Sequence, residues 1–218
     1  MLVLVLDSST PAVTAAVAEV TDGGVAIVAQ RRTVDARAHG ELLAPHVAEV
    51  LAEAGVRPGE LTAIVAGLGP GPFTSLRVGL VTAASMAQVL GVPVYGVCSL
   101  DALGRAAGAG RVLAATDARR KEVYWATYAD GVRERGPEVA RPADVGVTAE
   151  RAVGEGAQKY ADVLGLPVDG ELLYPPALHL AELAAGRVRD KAPTEPLTPL
   201  YLRRPDAVEP GARKPALR

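Results

Sequence analysis

Apolar residues fill every position from Leu2 to Leu6, and Asp7 ends the run. A strand apolar at consecutive positions is covered on both faces, so this segment predicts a central strand. Positions 13–20 and 25–31 predict two further strands, joined by the hairpin signal Thr21-Asp22-Gly23-Gly24. The period then changes. Leu43, Val47, Val50, Leu51 and Ala54 recur at helical spacing over positions 41–54, with Leu42 and His46 beside them and Gly55 as a stop. Pro45 requires this helix to begin nearby or to kink. Positions 63–67 predict a short buried strand. Gly69-Pro70-Gly71-Pro72 is a loop, positions 74–90 a long helix, and positions 94–97 another buried strand. A helix over positions 99–107 follows, with Ser99 as its expected N-cap.

This order, βββαβαβα, occupies about the first hundred residues. After Gly108-Ala109-Gly110 the opening is echoed: a strand over positions 112–116, Asp117 at its end, a polar turn, a return strand over 123–128 and a turn at Asp130-Gly131. The shared pattern points to a diverged internal duplication. The second half is the shorter copy, with only two further helices expected, over 157–164 and 177–185. The expected division is 1–107 and 108–218. The last stretch is rich in proline and arginine (Pro196, Pro199, Arg203, Arg204, Pro205, Pro210, Arg213, Lys214, Pro215) and is expected on the surface, packing back on the first lobe and with its last residues poorly ordered.

Composition narrows the function classes. The 218 residues are enough for one large domain or two lobes sharing a core. Aromatic residues are only 4%, so Val, Leu and Ala must fill that core. The formal net charge of −2 argues against a chain that lives on nucleic acid alone, but suits a subunit of a complex that touches RNA elsewhere. The single cysteine, Cys98, excludes an intrachain disulfide and fits a cytoplasmic protein. With no histidine near it in sequence, it is a small core residue rather than a nucleophile. The opening apolar run is too short to span a bilayer and has no basic flank, so no membrane association is expected.

Candidate chemistry is sparse. Asp7 with Ser8, Ser9 and Thr10, and Asp117 two residues before Arg119, sit at equivalent strand ends. Such aspartates either hold Mg²⁺ and a phosphate across an inter-lobe cleft or cap their own turns. Arg119 stands where a second phosphate loop usually needs glycine. The glycines ahead of the 74–90 helix, Gly69 and Gly71, either bind an anion or let two elements approach closely. The loop is neither a Walker loop nor a dinucleotide fingerprint. His39, His46 and His179 complete no metal set, and no Ser-His-Asp order or nucleophile elbow exists. The helices over 41–54 and 74–90 carry wide apolar surfaces, covered either by each other and the sheet or by a partner.

Five segments together resemble the TsaB (YeaZ) family: Leu4-Val5-Leu6-Asp7-Ser8-Ser9-Thr10, His39-Gly40-Glu41-Leu42-Leu43-Ala44-Pro45, Gly69-Pro70-Gly71-Pro72-Phe73-Thr74-Ser75-Leu76-Arg77-Val78-Gly79, Thr116-Asp117-Ala118-Arg119-Arg120-Lys121-Glu122-Val123-Tyr124, and Pro199-Leu200-Tyr201-Leu202-Arg203-Arg204-Pro205-Asp206-Ala207. They span almost the whole chain. Pro72 and Ser75 depart from the family's usual Ser and Gly. The resemblance implies an α/β actin-like/Hsp70-like ATPase (ribonuclease H-like) fold of two lobes, the second truncated. It also implies a non-catalytic scaffold subunit in tRNA threonylcarbamoyladenosine biosynthesis. In the catalytic relative, TsaD, a His-x-x-x-His pair holds a metal; the matching positions here are Ser99 and Leu103. The implied partners are TsaD and TsaE, a second copy of the chain when alone, and tRNA through the complex, with ATP and Mg²⁺ only at the level of the complex. The implied partner surface is the helix pair, represented by Leu42, Leu43, His46, Val47, Val50, Leu51, Phe73, Leu76 and Leu80. The implied vestigial phosphate loop is Asp7, Ser8, Ser9, Thr10, Gly69, Gly71, Asp117 and Arg119. Rival readings are an ATP-dependent phosphotransferase or hydrolase of the same fold, a peptidase, and a homodimer with no enzyme partner.

Overall fold

The computed structural model describes residues 1–203. Its first sheet holds β1 (Leu2–Asp7), β2 (Ala12–Thr21), β3 (Gly24–Val34), β4 (Ala63–Gly67) and β5 (Val94–Val97), in the order β3-β2-β1-β4-β5. β1 runs antiparallel to β2 and parallel to β4. The unbroken apolar run is explained by this central place, since Val3, Leu4, Val5 and Leu6 are all fully buried. Strand alternation divides them between two cores. Leu4 and Leu6 pack with Leu43, Val50, Leu76 and Ala83 of α1 (His39–Ala54) and α2 (Phe73–Leu90). Val3 and Val5 pack with Leu180, Ala181, Ala184 and Val188 of a helix from the far end of the chain, Ala177–Arg189.

The second sheet holds β6 (Arg111–Arg119), β7 (Glu122–Ala129), β8 (Val132–Ala140) and β9 (Arg151–Val153), in the order β8-β7-β6-β9. Numbered from each lobe's first strand, both sheets follow 3-2-1-4, and the first adds a fifth strand. The expected duplication is therefore present in topology, and the fold is the two-lobed actin-like one. Helix α3 (Ser99–Ala107) joins the lobes, with Leu100 and Leu103 buried in the second lobe's core. Two short helices, α4 (Glu155–Lys159) and α5 (Ala161–Leu164), precede α6, the Ala177–Arg189 helix that returns to the first sheet. After it, residues 192–200 run along the edge strand β5: Thr194 Oγ1 accepts from Val94 N, and Glu195 N donates to Val94 O.

Several expectations change in detail. Helix α1 begins at His39 and carries the exposed Pro45 inside it. The expected helix over 157–164 is two pieces separated at Tyr160. Ser99 is not an N-cap: Cys98 holds that position, and the Ser99 hydroxyl bonds elsewhere. Helix α2 is long and apolar enough by length and composition to cross a membrane. Here it lies on the first sheet with Leu76, Gly79, Leu80, Ala83 and Ala87 buried. The expectations for Arg204, Pro205, Pro210, Arg213, Lys214 and Pro215 lie outside the described residues.

Candidate functional site

β1 ends by delivering Asp7 into a fully buried turn. Asp7, Ser8, Ser9 and Thr10 are each at most 3% exposed. One carboxylate oxygen of Asp7 accepts from Ser9 N at 3.1 Å and Ser9 Oγ at 2.8 Å. The other accepts from Ser99 Oγ at 2.6 Å. Ser99 Oγ in turn accepts from Gly69 N at 3.2 Å. Burial pushes the Asp7 carboxyl above its ordinary value; the bonds from Ser99 and Ser9 and the nearby His39 pull it back. Cys98 is buried, and desolvation pushes its thiol up to about 12, which removes the thiolate a nucleophile needs.

The glycine-proline loop closes this turn from above. A Cβ at Gly71 would overlap the Ser9 carbonyl oxygen, and a Cβ at Gly67 would overlap the Asp7 carboxylate. Ser8 Oγ accepts from Gly79 N at 3.0 Å and donates to Ser75 O at 2.7 Å, pinning the first turns of α2 to the same segment. Of the two readings of Gly69 and Gly71, close approach is what the geometry holds. The space in which a phosphate would sit against Ser9 is filled by the loop's own backbone. The residues at this turn therefore do not fit a nucleotide phosphate.

Asp117 is equally engaged, by different partners. Lys159 Nζ reaches its carboxylate at 2.9 Å, and Arg119 N donates to it at 3.3 Å. Its own backbone N–H donates to Glu155 Oε1 at 2.9 Å. Burial pushes Glu155 up to about 7. Arg119, Arg120 and Lys121 all have positive φ, at 61°, 50° and 63°. Side chains thus occupy a left-handed turn that glycine would hold without cost. Among the described residues, no group of three or more His, Cys, Asp or Glu side chains is placed to hold a metal. Ser99 is spent on Asp7, and Leu103 is fully buried among apolar residues.

Between the lobes lies a cleft of about 850 Å³. Its walls come from the start of α1 (Arg37, His39), the start of α2 (Phe73, Thr74), the β6–β7 turn (Arg119, Tyr124) and the chain's later segment (Tyr201, Arg203). Neither Asp7 nor Asp117 is among its lining residues, so the two aspartates do not face each other across it. The Phe73 and Tyr201 rings lie against each other, centroids 5.1 Å apart and planes tilted by 33°, and Arg77 lies over the Phe73 ring. Arg203 ties the later segment to the second lobe, donating to Ala118 O at 3.0 Å and pairing with Glu122 at 3.1 Å. The sequence gives no sign that His39, Arg37 and Tyr201 share a cleft, because nothing local signals that these distant segments meet.

The helix pair also needs correction. Leu43, Val47, Val50, Leu51, Leu76 and Leu80 lie in the first lobe's core, and His46 is buried with its Nε2 3.1 Å from Thr33 Oγ1. Leu42 is half-buried against the same core, and Phe73 belongs to the cleft. The periodic residues found from sequence are those facing the sheet. What the pair leaves exposed is a different set: Ala44, Ala48 and Ala52 on α1, and Val81, Ser85 and Val89 on α2, Val89 being 84% exposed.

Comparison with known proteins places this architecture. The family model described as TsaD, tRNA N6-adenosine threonylcarbamoyltransferase, matches residues 27–198. An uncharacterised protein of Mycobacterium tuberculosis is 48% identical over 206 residues, covering 94% of this chain and 93% of that one. The Escherichia coli tRNA threonylcarbamoyladenosine biosynthesis protein TsaB is 33% identical over 188 residues, covering 77% of this chain and 81% of its own. The solved structure of YeaZ from Pseudomonas aeruginosa superposes with a TM-score of 0.76 at 31% identity, covering 92% of this chain and 99% of that one. A model named for the transferase thus covers most of the chain, while the match takes in 81% of the Escherichia coli TsaB and 99% of the YeaZ structure at 33% and 31% identity, and on these the chain belongs to the TsaB (YeaZ) family.

Proposed function

We propose that this chain serves tRNA threonylcarbamoyladenosine biosynthesis as the non-catalytic partner of a TsaD-type threonylcarbamoyltransferase. The observation that carries this reading is the exposed apolar strip on α1 and α2 (Ala44, Ala48, Ala52, Val81 and Val89), on helices whose opposite faces already fill the first lobe's core. Small residues let a second helix pair approach closely, and a standard interface of roughly 1,600 Å² in total suits two helices of this length. The loss of catalysis rests on Ser99 and Leu103 standing where the transferase carries its metal-binding histidines. Alone, the same strip pairs two copies of the chain about a two-fold axis. TsaE and tRNA join in the assembled complex, where ATP and Mg²⁺ are also used, and the assembly works in the cytoplasm.

The test is complex formation followed by activity. Val89→Asp and Ala48→Asp place charges on exposed positions, so the chain still folds. Each buries an unpaired charge in the complex, at a cost of several kcal/mol. Light scattering should show the heterocomplex with the unsubstituted chain and its loss in both variants. In a reconstituted modification reaction containing the transferase, tRNA, threonine, bicarbonate and ATP, product should need the unsubstituted chain. Unchanged assembly with both variants would refute the docking surface, and equal product with or without the chain would refute the role.

A further inference from the structure

After α6 the chain crosses from the first lobe to the second, and this crossing is built like a strut. Proline recurs at every third position: Pro193, Pro196 and Pro199. Each fixes its own φ and lacks an N–H, so the segment is stiff and cannot extend the sheet as a regular strand. The same spacing turns Thr194, Leu197 and Leu200 inward. Thr194 Oγ1 accepts from Val94 N, Leu197 packs against the first lobe's core, and Leu200 packs against the second lobe's. Pro193 and Pro196 face outward and are exposed.

An arginine–carboxylate pair fastens each end. On the first lobe, Arg187 of α6 reaches Glu195 at 2.6 Å and donates to Gly96 O at 3.1 Å, while the Tyr95 hydroxyl donates to Ala192 O at 2.6 Å. Midway, Leu200 N donates to Leu68 O at 2.9 Å, just past β4. On the second lobe, Arg203 holds Ala118 O and Glu122, and Leu202 joins Leu200 against that lobe's core. Helix α3, the first crossing, has Ala102 in the core beneath the first sheet and Leu100 and Leu103 in the second lobe's core. It does not line the cleft, whereas Tyr201, Leu202 and Arg203 do. A helix therefore joins the lobes away from the cleft, and the strut joins them at it.

We infer that residues 192–203 are a latch: they hold the second lobe at one angle to the first, with α3 as the pivot, and freeing Arg203 lets the lobes turn. Two-lobed proteins open and close about a few residues that absorb the rotation. Here a stiff brace crosses at the cleft and opposes that rotation. Its releasable end is on the second lobe, where the Arg203 and Glu122 side chains are 26% and 30% exposed and within reach of water. A partner that touches both lobes then meets them already set, without the cost of ordering them. The latch does not depend on the docking strip, so it is measured on the isolated full chain.

Pulsed electron paramagnetic resonance measures the distance between spin labels on Gln30→Cys of β3 and Glu134→Cys of β8, both exposed, in a Cys98→Ala background. The unlatched variants are Arg203→Ser and a chain ended after Thr198. Arg57→Ser, which breaks the Arg57–Glu60 pair within the first lobe, is the control. Circular dichroism confirms that each is folded. One narrow distance distribution is expected for the unsubstituted chain and for Arg57→Ser. In Arg203→Ser and in the shortened chain the distribution should broaden and its maximum should move by several ångström, as freed lobes turn about α3. A distribution already broad in the unsubstituted chain, or one that Arg203→Ser leaves unchanged, overturns the latch. If the shortened chain does not fold, Arg203→Ser decides alone.

Discussion

Replacing Ser99 with alanine removes one hydroxyl that serves two buried groups at once. It donates to the Asp7 carboxylate at 2.6 Å and accepts from Gly69 N at 3.2 Å. A hydrogen bond to a charged group contributes about 1.5–3 kcal/mol, and an orphaned buried donor costs about 1–3 kcal/mol. Some relaxation of the loop offsets part of the sum, so a loss of about 3 kcal/mol is expected. For a chain of this size that lowers Tm by about 6–12 °C. The loss should also depend on pH. Burial holds the folded-state pKa of Asp7 above its ordinary value of 3.8, so the folded state binds the proton more tightly than the unfolded chain. Its contribution is therefore fully present below the unfolded pKa and is lost as pH rises through the folded one. Ser99 favours the ionised form. Without it the folded pKa climbs further, and the variant's deficit widens as pH rises. Urea unfolding of both proteins at about pH 5 and about pH 8 measures this directly. A deficit below about 1 kcal/mol at both values would refute the claim that Ser99 holds the closed turn together.

Gly71→Ala should be more damaging, because its Cβ meets Ser9 backbone rather than a flexible side chain. A loss of about 3 kcal/mol or more is expected, read as a drop in Tm or as insoluble expression. Glu155 contributes stability below its ordinary value of 4.5 and loses it as pH rises to about 7; Glu155→Gln should flatten the stability profile across that window in denaturant titrations. Arg203→Ser removes the tie to Ala118 and Glu122 and should loosen residues 199–203, seen as faster amide exchange there with little change in global unfolding.

Much of the first lobe was legible because its elements announce themselves locally: an apolar run, a hairpin signal, a helical period, a glycine stop. The same periodicity misled the reading of α1 and α2. Leu43, Val50 and Leu76 are periodic because they face the sheet, and a period marks which face is buried without saying what buries it. Ser99 had a plausible local role as a cap; its actual partner, Asp7, is 92 positions away. The cleft was invisible for the same reason. Arg37, Phe73, Arg119 and Tyr201 come from four separate segments, and no local pattern records their meeting. Arg119 is legible as a departure from glycine, but the left-handed backbone it shares with Arg120 and Lys121 is not.

Helix α6 has a consequence for how the chain is made. Val3, Val5, Ala16, Val65 and Tyr95 lie on the sheet face that Leu180, Ala181, Ala184 and Val188 cover. During synthesis, all five strands of the first sheet leave the ribosome before that cover exists. At about 5–20 residues per second, the roughly eighty residues between β5 and α6 take several seconds or more to appear. For that interval one side of the sheet is bare and apolar, while the second lobe is being completed. The first lobe is thus finished last, and a chain cut before residue 177 would carry a complete second sheet beside a first one with nothing on its back.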